Sequence, residues 1–324
     1  MTLSSDDTDE SSESEPETIE MRASAPSSPS GTTATGTIQP RKSHQRLIIG
    51  AITTVIVVAL IAVIGVTAWR NHQKAQDANS PQALSEAYTA LQNVSQKPAG
   101  ATKQGGLPAY NKAKRNPQAP TVEIYEDFLC PYCAKLARQL EPTLIRLQDA
   151  GQINLEFHVV NFLDTPSTNR YSTRTASAVA YVSAHDPEHV APFVSALFEK
   201  GFQPDENKYK DVSDEQIAKQ AVKAGVDPQV AEAAVKGTYA DYITKVTEYT
   251  AKRTELYTTI QGTHSFFTPT IRVNGHIWPV NVFGNLDKTP EQFCGSIGIE
   301  RADVGNPNVM PKVGATGEPG AIKK

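Results

Sequence analysis

An α/β domain interrupted by a block of helices, carried behind a single transmembrane helix and a disordered N-terminal tail, is predicted by three features of the 324-residue chain. Strand-like runs flank a long amphipathic helix over residues 121–160, and two short strands return over 270–280. Residues 169–259 between them show helical periodicity. Upstream, an uncharged apolar run of 23 residues separates the domain from an acidic segment.

Residues 1–46 are rich in Ser, Thr, Pro, Asp and Glu, with too little apolar surface to offset the entropy of ordering, and are expected to be disordered. Eight acids and no base fall in the first twenty residues. Removing them from the 35 acids leaves 27 against 31 bases, so the net charge of −4 becomes +4 and the acidity belongs to the tail. The remainder has no basic stripe interleaved with aromatics, which gives no reason to expect nucleic acid as a partner. Leu47–Trp69 (LIIGAITTVIVVALIAVIGVTAW) is long enough at 1.5 Å per residue to cross a roughly 30 Å hydrocarbon layer, and too long for a signal-peptide core. Arg41, Lys42 and Arg46 precede it, against Arg70 and Lys74 after it. That excess predicts a single-pass cell-membrane protein with a cytoplasmic tail and the folded domain outside.

Residues 70–104, rich in Ala, Gln, Lys, Pro and Gly, are expected to be a stalk or linker, with one short amphipathic helix over Ala83–Val94. Leu107–Tyr110 suits an edge strand. Thr121–Asp127 (TVEIYED) alternates β-branched and aromatic residues with acids behind Pro120, the pattern of a strand. A helix follows over Cys130–Ala150, with Leu136, Leu140, Leu144 and Leu147 on one face and Gly151 past its end. Ile153–Val160 reads as a second strand. Breaks in the helical block 169–259 fall at Asp186-Pro187, Gly201–Pro204 and Asp227-Pro228, and Ser213 with Gln216 has capping-box spacing. Thr270–Val273 and His276–Val280 flank Asn274-Gly275, a strong hairpin signal because both residues tolerate positive φ. A last helix runs from Thr289, with Pro290 in its first turn, to Ile297, and residues 301–324 are expected to be a flexible tail.

Cys130-Pro131-Tyr132-Cys133 stands where a strand gives way to a helix. Disulfide exchange requires a thiolate, and a helix N terminus offers unpaired N–H groups and partial positive charge to stabilise one. Cys130 is therefore the expected nucleophile. Pro131 suits the first helical turn, Tyr132 tunes the nucleophile by packing, and Cys133, one turn on and more buried, is placed to resolve a mixed disulfide at Cys130. A zinc site needs a second ligand pair, and only one other cysteine is present. A static bridge over two intervening residues closes too short a loop to gain much stability. Neither a metal nor a cofactor is expected.

The segment Glu126–Cys133 (EDFLCPYC), the helical block and Phe267–Gly275 (FTPTIRVNG) together resemble the DsbA-like branch of the thioredoxin superfamily, especially membrane-tethered Gram-positive forms, over roughly residues 105–300. The resemblance implies a thioredoxin-like fold with the helical insertion. It also implies a cis proline at Pro269 facing the dithiol, preceded by Thr268, whose backbone would pair with an extended substrate. The tetrad alone also occurs in glutaredoxins, which lack room for an insertion between Cys133 and Pro269. Ile124 stands where many relatives carry a buried acid, which leaves Glu126 or Asp127 as the candidates for proton transfer. The activity implied is disulfide formation in exported proteins bearing reduced cysteines, with reoxidation by a membrane partner that passes electrons to quinone. A tethered reductase or isomerase, or a non-catalytic adaptor, would carry the same residues.

Other candidates have plainer readings. Cys294 beside Phe293 reads as a small buried hydrophobe. His185-x-x-Glu188-His189 matches an inverted zincin pattern, but Pro187 restarts the helix and takes His185 off the shared face. His158, His264 and His276 lie near strand ends and read as hydrogen-bonded or exposed rings, and Tyr239, Tyr242 and Tyr249 read as helix-packing residues.

Overall fold

The computed structural model describes residues 80–110 and 114–322, all within the compact unit spanning residues 64–324. The expected tail, residues 1–46, and the expected span, residues 47–69, lie outside the described residues. Among the described residues no helix is long and apolar enough to cross a membrane.

The first elements are α1 (Pro81–Gln92), the two-residue β1 (Leu107–Pro108), β2 (Thr121–Glu126), α2 (Pro131–Asp149) and β3 (Asn154–Val159). β2 and β3 pair in parallel, with Val122 opposite Leu155 and Ile124 opposite Phe157. Parallel neighbours need a crossover, which α2 supplies. The helix ends at Asp149 with Ala150 as its C-cap, after which Gly151 takes φ 71°. β1 adds antiparallel to the outer edge of β3.

After β3 the chain leaves the sheet for the helices α3 (Tyr171–His185), α4 (Val190–Leu197), α5 (Asp214–Lys223), α6 (Pro228–Ala234) and α7 (Ala240–Thr250). The expected breaks hold. Ser213 and Gln216 cap α5 reciprocally, and Asp227 caps α6 by accepting from Gln229 and Val230 N–H. Helix ends at Thr250 rather than at residue 259. Thr258–Ile260 (β4) and Thr263–Ser265 (β5) form a separate hairpin across Gln261-Gly262, both at positive φ. Its strands carry a single apolar residue, Ile260, among Thr, His and Ser, so they show no period-two apolar alternation.

The chain then re-enters the sheet as β6 (Thr270–Val273), antiparallel to β2, and turns through Asn274-Gly275 into β7 (His276–Trp278). Asn274 and Gly275 sit at φ 50° and 84°, the conformation that a two-residue hairpin turn requires. Strand order is β1-β3-β2-β6-β7. The final helix, α8 (Thr289–Ile297), packs on α2, while α7 lies against α1 and β3, so helices cover both faces. This is the thioredoxin-like α/β architecture with a helical insertion.

Two boundaries need correction. Ser80 caps α1, whose buried Ala87 and Leu91 dock it against α7, so part of the expected stalk belongs to the folded domain. Residues 301–322 are not a loose tail. The amide nitrogen of buried Gln152 lies 2.9, 3.0 and 2.7 Å from the carbonyls of Asp303, Asn306 and Val309, and its oxygen accepts from Gly305 N–H. Asn274 likewise donates to the carbonyls of Gly314 and Gly317. Gly, Pro and Lys content conceals this because the anchors are side chains more than 25 residues away in sequence. Gln152→Leu should leave these backbone groups unpaired and lower unfolding stability by about 2 kcal/mol, measured by urea titration of the full chain.

Candidate active site

The Cys130–Cys133 segment is set by the junction between β2 and α2. Cys130 is the N-cap of α2, with extended backbone (φ −70°, ψ 118°), and its sulfur accepts a 3.3 Å hydrogen bond from Cys133 N–H. A sulfur here occupies the place where Ser or Asp usually satisfies an orphan helix donor. Pro131 and Tyr132 are exposed, whereas Cys130 is 4 % and Cys133 1 % exposed. The Cys130 thiol titrates below its ordinary range, chiefly because the Cys133 thiol and main-chain N–H bond to it, against the opposing effect of burial. Burial, reinforced by hydrogen bonding and charge at Cys130, drives Cys133 well above that range. One sulfur is prepared to be a thiolate and the other to hold its proton.

The loop before β6 faces this pair. The Thr268-Pro269 peptide is cis, and the Thr268 carbonyl oxygen lies 3.5 Å from Cys130 Sγ. Beside it runs a groove of about 660 Å³ whose lining includes Tyr132, Ile260, Phe267, Pro269, Trp278 and Phe283. Tyr132 and Phe283 meet edge to face at 4.8 Å and both stay exposed, a pair of aromatic walls at the mouth. Lys135 ties that wall to α2 by donating to the carbonyl of Gly284 at 2.7 Å.

The two adjacent acids, Glu126 and Asp127, play different parts. Asp127 accepts from Leu129 N–H (2.9 Å), Leu163 N–H (2.9 Å) and Ser172 Oγ (2.6 Å), which makes it an anchor between the active-site turn and the insertion. Burial nevertheless raises its carboxyl to about 6. Glu126 points to the α2 side of the sheet, where it lines a small cavity with Cys133 and Glu141. Burial and the neighbouring Glu141 push Glu126 well above the carboxylate range.

Sequence reasoning missed Glu141, Ser195 and Gln203. Glu141 is buried on α2, and burial lifts it to about 7 against a hydrogen bond from Ser195. Its signal was available, since Cys133, Ala137 and Glu141 follow an i, i+4, i+8 row. Gln203, in the loop after α4, donates to the carbonyls of Phe128 and Cys130 at 3.0 Å each. Nothing in local sequence marks it. The histidines lie elsewhere: His158 stacks on Tyr125 on the far face of the sheet, His264 meets Thr259 on the hairpin, and His276 is 3.6 Å from Glu318. His185 meets the Tyr181 carbonyl and His189 meets Asp186. Cys294 is buried in α8, which raises its thiol. Among the described residues no group of three His, Cys, Asp or Glu side chains is placed to hold a metal ion.

A dithiol at a helix N terminus with a cis proline across from it is joined by a direct match: the family model described as Thioredoxin covers residues 116–294. The chain belongs to the thioredoxin family. The placement of its two sulfurs suits thiol–disulfide exchange. Over 151 residues it is 32 % identical to the serine/threonine-protein kinase PknE of Mycobacterium tuberculosis, a match taking in 46 % of this chain and only 26 % of the kinase. Similar solved structures include reduced DsbA from Mycobacterium tuberculosis, 28 % identical over 54 % of this chain and 85 % of that one, with a TM-score of 0.45. DsbG from the same organism is 27 % identical over 59 % and 86 %, with a TM-score of 0.45. MdbA, a thiol-disulfide oxidoreductase from Corynebacterium diphtheriae, is 23 % identical over 62 % and 97 %, with a TM-score of 0.45.

The raised carboxyls set the sign of the pH dependence of stability. A buried acid whose folded pKa exceeds its unfolded value keeps its full stabilising contribution below the unfolded value and loses it as pH rises to the folded one. For Asp127 the loss runs from 3.8 to about 6, and for Glu141 from 4.5 to about 7. The unfolding midpoint should therefore fall between pH 4.5 and 7 and then level off as far as these groups decide it. Glu141→Gln should flatten that fall by on the order of 3 kcal/mol, read from urea unfolding at the two pH limits.

Proposed function

We propose that this chain is a membrane-anchored thiol–disulfide oxidoreductase that introduces disulfides into exported proteins, with Cys130 as the sulfur that forms the mixed disulfide with clients, and as the nucleophile when exchange runs in reverse, and Cys133 as its disulfide partner and the thiol that resolves the mixed disulfide in that reverse direction. The observation that carries the reading is the opposed environment of the two sulfurs: Cys130 caps a helix and titrates low, while Cys133 is sealed beneath it and titrates high. In the oxidised enzyme a client thiolate attacks Cys130, the Cys130–Cys133 bond breaks, and its electron pair leaves on Cys133. A second client thiol then attacks the mixed disulfide, releasing an oxidised client and a dithiol enzyme.

The same asymmetry supports the oxidising direction. Whatever stabilises the thiolate of Cys130 stabilises the reduced enzyme, and a stabilised reduced form makes the disulfide an oxidant. Clients would lie extended along the groove beside Thr268 and Pro269, with apolar side chains against Tyr132, Phe283 and Trp278. Residues 47–69 would hold the domain at the outer surface of the cell membrane, with the acidic tail inside, as their length and flanking charges support. Each turnover leaves a dithiol, so a membrane partner that hands its electrons to quinone would restore the disulfide.

Three measurements test this reading. Cys130→Ser should abolish exchange, and Cys133→Ser should accumulate mixed disulfides with clients on non-reducing gels; absence of any adduct would falsify the assignment of roles. The reduction potential should lie at the oxidising end, above roughly −180 mV, whereas a value near −270 mV would make the enzyme a reductase. A membrane-impermeant thiol reagent should label Cys130 in intact, reduced cells if the domain faces outward.

A further inference from the structure

We propose that a cleft at the end of the sheet remote from the dithiol binds a small organic cation, a primary amine carried on an apolar or aromatic body, with Glu156 as its charged contact and Tyr88 as its platform. The site stands apart from Cys130 and Cys133 and does not depend on the direction of disulfide exchange.

The cleft has a volume of about 950 Å³. Thr121 and the Asn274-Gly275 turn place it at the start of β2, whereas the dithiol follows the other end of that strand. Two of its walls come from segments whose order the sequence concealed. Leu84 and Tyr88 are supplied by α1, and Ala315 and Thr316 by the C-terminal segment that Asn274 pins through the carbonyls of Gly314 and Gly317. Between these segments and the sheet lies a partly polar space of the size that holds a small molecule.

The floor carries the charge. Glu156 on β3, Glu123 on β2 and Arg272 on β6 are direct neighbours in register across the sheet, so two acids stand in a row with one base. Like charges opposite each other on adjacent strands repel. Glu123 is matched, since Arg272 Nη1 lies 3.2 Å from its Oε2 and the Tyr125 hydroxyl donates to the same oxygen. Glu156 is matched less well. Its side chain is 14 % exposed, and its one ion-pair contact among the described residues is His158 Nε2, 3.8 Å away. The His158 ring is fully buried, and neither of its nitrogens has a hydrogen-bond partner. Arg253, the other buried base on this face, is already held by Glu255 and by the Tyr125 hydroxyl, each at 2.8 Å. Lys103 lies at the exposed rim. A mostly buried carboxylate beside an unbonded imidazole therefore faces the cleft, where a cation is attracted more strongly than it would be in open water.

The lining selects the kind of cation. A calcium ion takes roughly six or more oxygens, whereas Glu123 is committed and Glu156 offers one carboxylate. An ammonium needs only that carboxylate, and it gains further from an aromatic face. Tyr88 and Tyr249 stand 5.4 Å apart on the wall. Tyr249 already has Arg253 over its ring at 5.5 Å, so the partly exposed Tyr88 is the ring that a ligand meets. Leu84 beside it suits an apolar body behind the amine.

The test is calorimetric titration of the full chain in detergent with tyramine and with tyrosol, which has the same ring and a hydroxyl in place of the ammonium. Heats from empty micelles are subtracted. Tyramine should bind with a dissociation constant on the order of 1 mM or below, and about tenfold more tightly than tyrosol. Glu156→Gln should erase the difference between the two, and Tyr88→Ala should weaken tyramine by about threefold. Ser85→Trp, at an exposed α1 position lining the cleft, should exclude both compounds. Reaction of the dithiol with dithiothreitol should be unchanged in all three variants, which reports that each is folded. Equal binding of tyramine and tyrosol overturns the assignment of a cation. Tyramine binding that survives Ser85→Trp, or no binding by the unaltered chain, overturns the site. Should Glu156→Gln not fold, Ser85→Trp and the comparison of the two compounds on the unaltered chain still decide.

Discussion

The hydrogen bond from Cys133 N–H to Cys130 Sγ is the contact on which the rest of the site depends. It places a sulfur at the N-cap of a 19-residue helix, where the first backbone donors have no partner within the helix. The same geometry makes Cys130 the better thiolate, keeps Cys133 one turn away and below, and turns Cys130 toward the loop that carries Thr268 and Pro269. Moving the cysteine by one residue along α2 would lose all three, because an interior position has its N–H groups already committed.

Much of the surrounding structure acts to hold that junction still. Asp127 grips the turn between β2 and α2 from within and Ser172 and Leu163 from the insertion, while Gln203 holds the carbonyls of Phe128 and Cys130. The insertion is therefore tied to the active-site turn at several backbone and side-chain positions. On the opposite side, Lys135 and the Tyr132–Phe283 contact join α2 to the loop after β7 and shape the mouth of the groove.

The carboxyls beneath the dithiol show what such a site costs. Glu126 and Glu141 bury oxygens with no partner, a feature that most interiors avoid because each unpaired group forfeits its hydration. The cavity between them, about 10 Å³, is otherwise lined by apolar side chains such as Leu140 and Ile271, which offer these oxygens no partner.

Local patterning was enough to place β2, α2, β3, the helical block, the Asn274-Gly275 hairpin and the last helix, because each carries its own periodicity or turn chemistry within a dozen or so residues. It was also enough to nominate Cys130 and Cys133, since a helix start is a local event. What lay beyond it depended on contacts distant in sequence. The β4–β5 hairpin has no apolar alternation, the docking of α1 needs α7, and the ordering of residues 301–322 needs Gln152 and Asn274. The division between Asp127 as an anchor and Glu126 as a cavity acid follows from the pleat, which sends adjacent side chains of β2 and the turn after it in different directions. Glu141 and Ser195 meet across 54 positions, and only the packing of α4 on α2 brings them together. The sequence by itself determined which sulfur starts a helix; tertiary structure alone decided which carboxyls lie under the other, because burial is a property of the assembled layers and not of any one segment.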